Sequence, residues 1–270
     1  VLDCSNGATY KCAPLIFSEL GAEVTTIHAQ PDGKNINDSC GSQHTGDLQA
    51  KVVETGADVG LAFDGDGDRL IAVDERGREL TGDQLIVICA QHYKAAGLLN
   101  NNLVVGTVMS NIGFHAALKK LEIDTAVSDV GDRCVLELMR QQDAVLGGED
   151  SGHIIFHNHH TTGDGIVSAL QLLAIMRQSG KPLSGLAGVM SVFPQVLINV
   201  DVAEKPPIEE VSALQAAITE AEGELADKGR VLIRYSGTQP LCRVMVEGPT
   251  VQLTRTIAER LAGVVKETIG

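Results

Sequence analysis

The apolar and polar positions change period several times along the chain, and the changes predict α/β units followed by an α+β unit. Residues 1–3 read as the end of a strand. The turn Ser5-Asn6-Gly7-Ala8 opens a helix to about Leu20, Gly21 closes it, and residues 23–28 return as a strand. A polar stretch over 30–45 reads as loop, 46–55 as a helix stopped by Gly56, and 59–63 and 70–73 as apolar strands. Helices are expected over 84–96 and 166–178, after Thr81-Gly82-Asp83 and Thr162-Gly163-Asp164, with Asp83 and Asp164 capping their first turns. Between them lie a strand at 103–107, a helix at 113–121 and a strand at 125–128.

Beyond Leu183 the texture changes. A strand at 196–202 leads into the charged joint Glu204-Lys205-Pro206-Pro207. An amphipathic helix (208–225), two strands (230–235 and 242–247) around a glycine loop and a last helix (251–268) complete a compact α+β unit. The expected fold is α/β: two similar mixed or parallel α/β sandwich domains, then a smaller α+β C-terminal domain. The boundaries fall at 1–82, 83–191 and 192–270.

Composition narrows the function classes. With 44% hydrophobic residues the 270-residue chain can bury a core, and a net charge of -14 argues against nucleic acid as a partner. Local arginines can still hold an anionic small molecule. No apolar run reaches roughly 18 residues, so no membrane span is expected. Cys4, Cys12, Cys40, Cys89, Cys134 and Cys242 are scattered without a C-x-x-C pair, which fits free thiols in a reducing cytoplasm.

Three loops carry candidate chemistry. Asp64-Gly65-Asp66-Gly67-Asp68-Arg69 projects alternate carboxylates from a tight turn, a set of hard oxygens suited to Mg²⁺. An EF-hand would place Asp64, Asp66, Asp68 and Glu75 at ligand positions. It would also need glycine where Arg69 stands and helices where strands are expected. Gly147-Gly148-Glu149-Asp150-Ser151-Gly152-His153 offers a carboxylate, a hydroxyl and an imidazole that can bond vicinal sugar hydroxyls, with His153 able to move a proton. In Arg234-Tyr235-Ser236-Gly237-Thr238-Gln239-Pro240-Leu241-Cys242-Arg243, two arginines bracket a Ser-Gly-Thr turn that can cradle a phosphate. A metal loop, a sugar loop and a phosphate loop imply a central cleft, a sugar phosphate as small-molecule partner and phosphoryl transfer.

These loops, in this order, resemble the α-D-phosphohexomutase superfamily along the whole chain. The resemblance implies Mg²⁺ held by Asp64, Asp66 and Asp68, and Arg69 facing a phosphoserine. It implies sugar contacts from Glu149, Ser151 and His153, and a phosphate held by Arg234, Ser236, Gly237, Thr238 and Arg243. Val130-Gly131-Asp132-Arg133 and Thr107-Val108-Met109-Ser110-Asn111 are similar to its glucosamine branch, and Arg69, His153 and Arg133 form the expected catalytic group. The implied activity interconverts glucosamine 6-phosphate and glucosamine 1-phosphate through a phosphoserine and hexosamine 1,6-bisphosphate, and feeds amino-sugar nucleotide and cell-wall synthesis.

The rivals are a mannose- or glucose-specific member, a non-catalytic sugar-phosphate-binding protein and a Ca²⁺-binding module. A homodimer of the full-length protein is compatible with the resemblance. No segment resembles the family's serine motif, so the chain is expected to be domains 2 to 4 of a longer protein, inactive alone and binding Mg²⁺ weakly. Asp150, Gln239 and Cys134 depart from the family's usual residues, and Asp150 is expected to add a negative charge beside the sugar.

Overall fold

In the computed structural model, which describes residues 1–237 and 239–270, the chain forms two compact units. The first comprises 1–110 and 114–191, and the second comprises 192–270 with Asn111–Gly113.

The first unit holds two sheets built on one plan. In the first, β1 (Leu2–Asp3), β2 (Thr26–Ile27) and β3 (Val59–Phe63) run parallel in the order β2-β1-β3. The antiparallel β4 (Leu70–Asp74) and β5 (Glu79–Leu80) complete it. Helices α1 (Cys12–Glu19) and α2 (Gly46–Thr55) are the crossovers, and Gly56 ends α2 in the left-handed region at φ 64°.

The second sheet follows the buried helix α3 (Gly82–Ala95). Its strands β6 (Leu103–Thr107), β7 (Asp124–Ser128) and β8 (Leu146–Gly148) are parallel in the order β7-β6-β8, and β9 (Ile154–Phe156) pairs antiparallel with β8. Helices α4 (Ile112–Lys120) and α5 (Asp132–Gln141) link these strands, and α6 (Gly165–Ser179) and α7 (Leu183–Ala187) follow.

Helix α3 is apolar around most of its circumference, and one continuous core results. Leu85, Ile86, Val87 and Ile88 are buried with Leu61, Phe63 and Leu70 of the first sheet and with Leu146, Ile154 and Phe156 of the second. The two helix entries expected to match do not. Asp164 is the N-cap of α6, accepting from the N–H groups of Ile166 (2.9 Å) and Val167 (3.0 Å). Helix α3 starts two residues earlier in its motif, so a capping box of Thr81 and Gln84 closes it, with Gln84 Oε1 3.2 Å from the Thr81 nitrogen. Asp83 lies buried in the first turn.

The second unit is a three-stranded antiparallel sheet, β10 (Gln195–Asp201), β12 (Leu241–Glu247) and β11 (Arg230–Tyr235) in that order. It is backed by α8 (Ser212–Leu225) and α9 (Val251–Ile269) over a core of Leu214, Val244, Val246, Ile257 and Leu261. Glu247, fully buried, accepts from Arg230 Nε (2.7 Å), Asn111 Nδ2 (3.1 Å) and the Ile112 N–H (3.0 Å). Asn111 therefore belongs to the scaffold of this unit. Among the described residues no helix is long and apolar enough to cross a membrane.

Candidate functional site

Each of the three motif loops is the turn of a β-hairpin. The acidic loop joins β3 to β4, Glu149–His153 joins β8 to β9, and the arginine-flanked loop joins β11 to β12. The first two leave the carboxyl ends of parallel strands, where open α/β sheets place their ligands.

In the acidic turn Asp64 shapes the backbone. Its Oδ1 accepts from the N–H groups of Gly67 (3.0 Å) and Arg69 (3.1 Å). Burial, then the neighbouring Asp68 carboxylate, pushes the Asp64 carboxyl above the usual carboxylate range. The Arg69 Nε lies 3.9 Å from Asp68 and 4.0 Å from Asp64, buried and without a hydrogen-bond partner among the described residues. The structure brings Asp64 and Asp68 together and leaves Asp66 exposed, so the expected convergence of three aspartates holds for two. Like charges on one turn repel, and Asp64 already uses Oδ1 within the turn.

His153 ties the acidic turn to the sugar-loop turn. Its Nε2 accepts the Gly163 N–H at 3.1 Å, so the neutral ring carries its proton on Nδ1, which lies 3.2 Å from Asp68 Oδ2. A bridge between Arg69 and His153 and a 3.0 Å bond from the Leu70 N–H to the Gly152 carbonyl complete the join. Gly152 must be glycine: φ is +91°, and a Cβ would stand 2.3 Å from the Leu70 oxygen. His153, expected to meet the sugar and move a proton, lies buried at this join. The residue is 2% exposed and both ring nitrogens are engaged, so its place is that of a positioning residue.

The rest of the sugar loop divides. Glu149 Oε1 accepts the Gly131 N–H at 3.0 Å and fixes the entry to α5, while Ser151 is half-buried in the turn. Asp150 does not add charge beside a sugar. It sits half-buried at the N-terminus of α3, where its carbonyl accepts the Gly82 N–H at 2.9 Å, and burial raises its carboxyl. Arg133 lies on the solvent side of α5, 86% exposed and bonded to Glu137 at 2.8 Å. It is not gathered with Arg69 and His153, because its spacing to Glu137 favours a pair along the helix.

In the second unit Arg234 and Arg243 stand directly opposite each other in the β11–β12 ladder, which places two guanidinium-bearing residues on one face at the mouth of the turn. Arg243 Nε is buried without a hydrogen-bond partner among the described residues. Ser236 is buried. Its N–H reaches the Leu241 carbonyl at 2.8 Å and its Oγ accepts from the Gln239 N–H at 3.3 Å, so it holds the turn that exposes Gly237. Thr238 lies outside the described residues.

Two other features lie apart from these loops. Asp3, His28 and Cys40 bring three potential ligand atoms within 4.8 Å of one another. Asp3 already accepts the N–H groups of Ser5 and Gly41, each at 2.9 Å, and His28 lies 3.0 Å from Asp3 and 3.2 Å from Asp47, which reads as a structural anchor. A cavity of about 940 Å³ lined by Leu2, Phe17, Leu20, Leu170 and Met176 contains no residue of the three loops.

Models of three phosphoglucomutase/phosphomannomutase domains match the chain in order: alpha/beta/alpha domain II over 1–77, alpha/beta/alpha domain III over 81–193 and the C-terminal domain over 197–264. The phosphoglucosamine mutase of Syntrophus aciditrophicus is 60% identical over the whole chain, and that of Syntrophobacter fumaroxidans 57%. The chain spans 60% of the length of each. The crystal structure of Aspergillus fumigatus N-acetylphosphoglucosamine mutase in complex with GlcNAc-6P and magnesium has the same fold, with a TM-score of 0.84 at 21% identity. The match covers 100% of this chain and 61% of that one. A Burkholderia thailandensis phosphoglucomutase/phosphomannomutase family protein matches with a TM-score of 0.81 at 23% identity, covering 99% and 60%. The chain belongs to the phosphoglucomutase/phosphomannomutase family and carries its domains II, III and IV in order.

Proposed function

We propose that this chain is the metal-, sugar- and phosphate-binding part of a phosphoglucosamine mutase. The observation that carries the reading is the join between the acidic turn and the sugar-loop turn through Asp68, Arg69 and His153. It couples a cation-binding carboxylate set to a hydroxyl-binding turn, as transfer of a phosphoryl group to a sugar requires. The names of the relatives at 52–60% identity support the amino sugar as substrate.

Asp64 and Asp68 would hold Mg²⁺ together, with Asp66, exposed on the same turn, as a third ligand brought in by the ion. Their hard oxygens fit it, and the crowding of Asp64 against Asp68 is the electrostatic situation a divalent cation relieves. Bound there, Mg²⁺ supplies Lewis-acid stabilisation of charge on phosphoryl oxygens. Arg69 adds positive charge at the same turn. Glu149 and Ser151 orient the sugar, with Glu149 also setting the Gly131 loop. Arg234, Arg243 and the Ser236-Gly237-Thr238 turn hold the phosphate that is not being transferred.

A phosphoserine outside this chain is the donor. Its P–O bond breaks as a sugar hydroxyl oxygen bonds phosphorus; the hydroxyl gives up its proton and the departing serine oxygen takes one up, which gives hexosamine 1,6-bisphosphate and a free serine hydroxyl. The bisphosphate then returns its other phosphoryl group to the serine. His153 orients Asp68 during both transfers.

The test joins this chain to the part of the Syntrophus aciditrophicus relative that it does not match. Turnover is then compared for glucosamine 6-phosphate, glucose 6-phosphate and mannose 6-phosphate. Preference for the amino sugar is expected. Preference for mannose or glucose would overturn the substrate assignment, and a folded chimera inactive on all three would overturn the activity.

A further inference from the structure

Lys205, in the charged joint Glu204-Lys205-Pro206-Pro207, contacts the Ser236–Gln239 turn. Lys205 Nζ donates to the Ser236 carbonyl at 2.7 Å and to the Gln239 carbonyl at 2.9 Å, the two carbonyls that bracket Gly237 and Thr238. The segment carrying Lys205 is itself fixed to the hairpin. Tyr235 donates its hydroxyl proton to the Pro206 carbonyl at 2.7 Å, and the Val202 N–H reaches the Pro240 carbonyl at 3.0 Å. The segment therefore lies against the turn, with the Lys205 ammonium on the carbonyls of Ser236 and Gln239.

We propose that Lys205 is a positioning residue of the phosphate loop, acting through the peptide between Ser236 and Gly237. This rests on the reading that Arg234, Arg243 and the Ser236-Gly237-Thr238 turn bind phosphate. A peptide whose N–H faces an anion turns its carbonyl away, and an ammonium on that carbonyl polarises the N–H at the other end. The Ser236 carbonyl belongs to the peptide that carries the Gly237 N–H. The Gln239 carbonyl precedes Pro240, which has no N–H, and it also accepts from the Leu241 N–H at 2.8 Å. Lys205 thus polarises one peptide and pins the other.

The experiment titrates the chain with inorganic phosphate and follows the backbone amide resonance of Gly237. The native chain is compared with Lys205→Met, Lys205→Arg and Arg234→Ala at low and at high salt. Lys205→Met is expected to weaken phosphate binding roughly tenfold, the scale of losing a charged hydrogen bond. The Gly237 amide should move in the phosphate-free state, and the loss should persist at high salt, where a distant charge would be screened. Lys205→Arg, which can still donate to both carbonyls, should restore most of the affinity.

Phosphate binding unchanged in Lys205→Met but lost in Arg234→Ala would overturn the role of Lys205 and leave the loop reading intact. Binding unchanged in Arg234→Ala would overturn the loop reading itself. A deficit in Lys205→Met that vanishes at high salt would make Lys205 a remote charge and contradict positioning.

Discussion

The imidazole of His153 stands between two loops, its Nδ1 3.2 Å from Asp68 Oδ2 and its Nε2 3.1 Å from the Gly163 nitrogen. With both nitrogens engaged the ring fixes the direction of a carboxylate that we assign to Mg²⁺. Outer-shell partners of this kind matter for affinity as well as for folding. His153→Ala should therefore weaken Mg²⁺ binding by about 10–100-fold. Calorimetric titration with Mg²⁺ checks this. Unchanged affinity in a folded variant would show that Asp68 is oriented without the ring.

Gly152→Ala should destabilise the first unit by roughly 2–4 kcal/mol, because the added Cβ meets the Leu70 carbonyl in a backbone conformation that L-residues rarely adopt. Urea unfolding gives the value. A loss below about 0.5 kcal/mol, the level of an ordinary surface substitution, would mean that the two turns can separate at little cost.

Thiol reactivity follows burial. Burial pushes the Cys4 and Cys40 thiols up to about 11 and Cys89 to about 12, whereas Cys12 is exposed on α1. Iodoacetamide near neutral pH should alkylate Cys12 first and spare Cys4, Cys40 and Cys89 in the native chain. Peptide mass spectrometry over time reads the order. Early modification of Cys89 would contradict the buried α3.

Asp74 closes the β4–β5 turn. Burial alone would raise its carboxyl, but the Arg78 N–H and guanidinium and the Arg76 N–H outweigh burial and hold it below the usual carboxylate range. A depressed folded pKa contributes stability that is full above the unfolded value and is lost as pH falls through the folded value. Arg78→Ala should move the onset of acid unfolding to higher pH and cost roughly 1–2 kcal/mol at neutral pH, discounted for the exposure of Arg78. Acid titration followed by circular dichroism checks it, and an unmoved onset would contradict the assignment.

Much of the architecture was legible because long periodic segments with glycine stops decide themselves, as at α2 with Gly56 and α6 with Gly180. Short elements were missed. Strand β9 is three residues behind a glycine turn, and α5, ten residues long like α2, ends in the C-cap Gln142 without a glycine stop. Its Val135 and Met139, four apart and both buried, were the available signal. The three loops were legible as chemistry, since residue type and spacing reveal donors. Which donors meet was not. The contacts of His153 with Asp68, Glu149 with Gly131 and Lys205 with Ser236 join residues distant in sequence, and no local pattern encodes them.

The proposal that matters most is that this chain binds an amino-sugar phosphate. It is tested most directly by calorimetric titration of this chain with glucosamine 6-phosphate and mannose 6-phosphate in Mg²⁺, with Arg234→Ala alongside. Tighter binding of glucosamine 6-phosphate is expected, with loss of that binding in the variant. Equal binding of both sugars, or binding that survives Arg234→Ala, would contradict it.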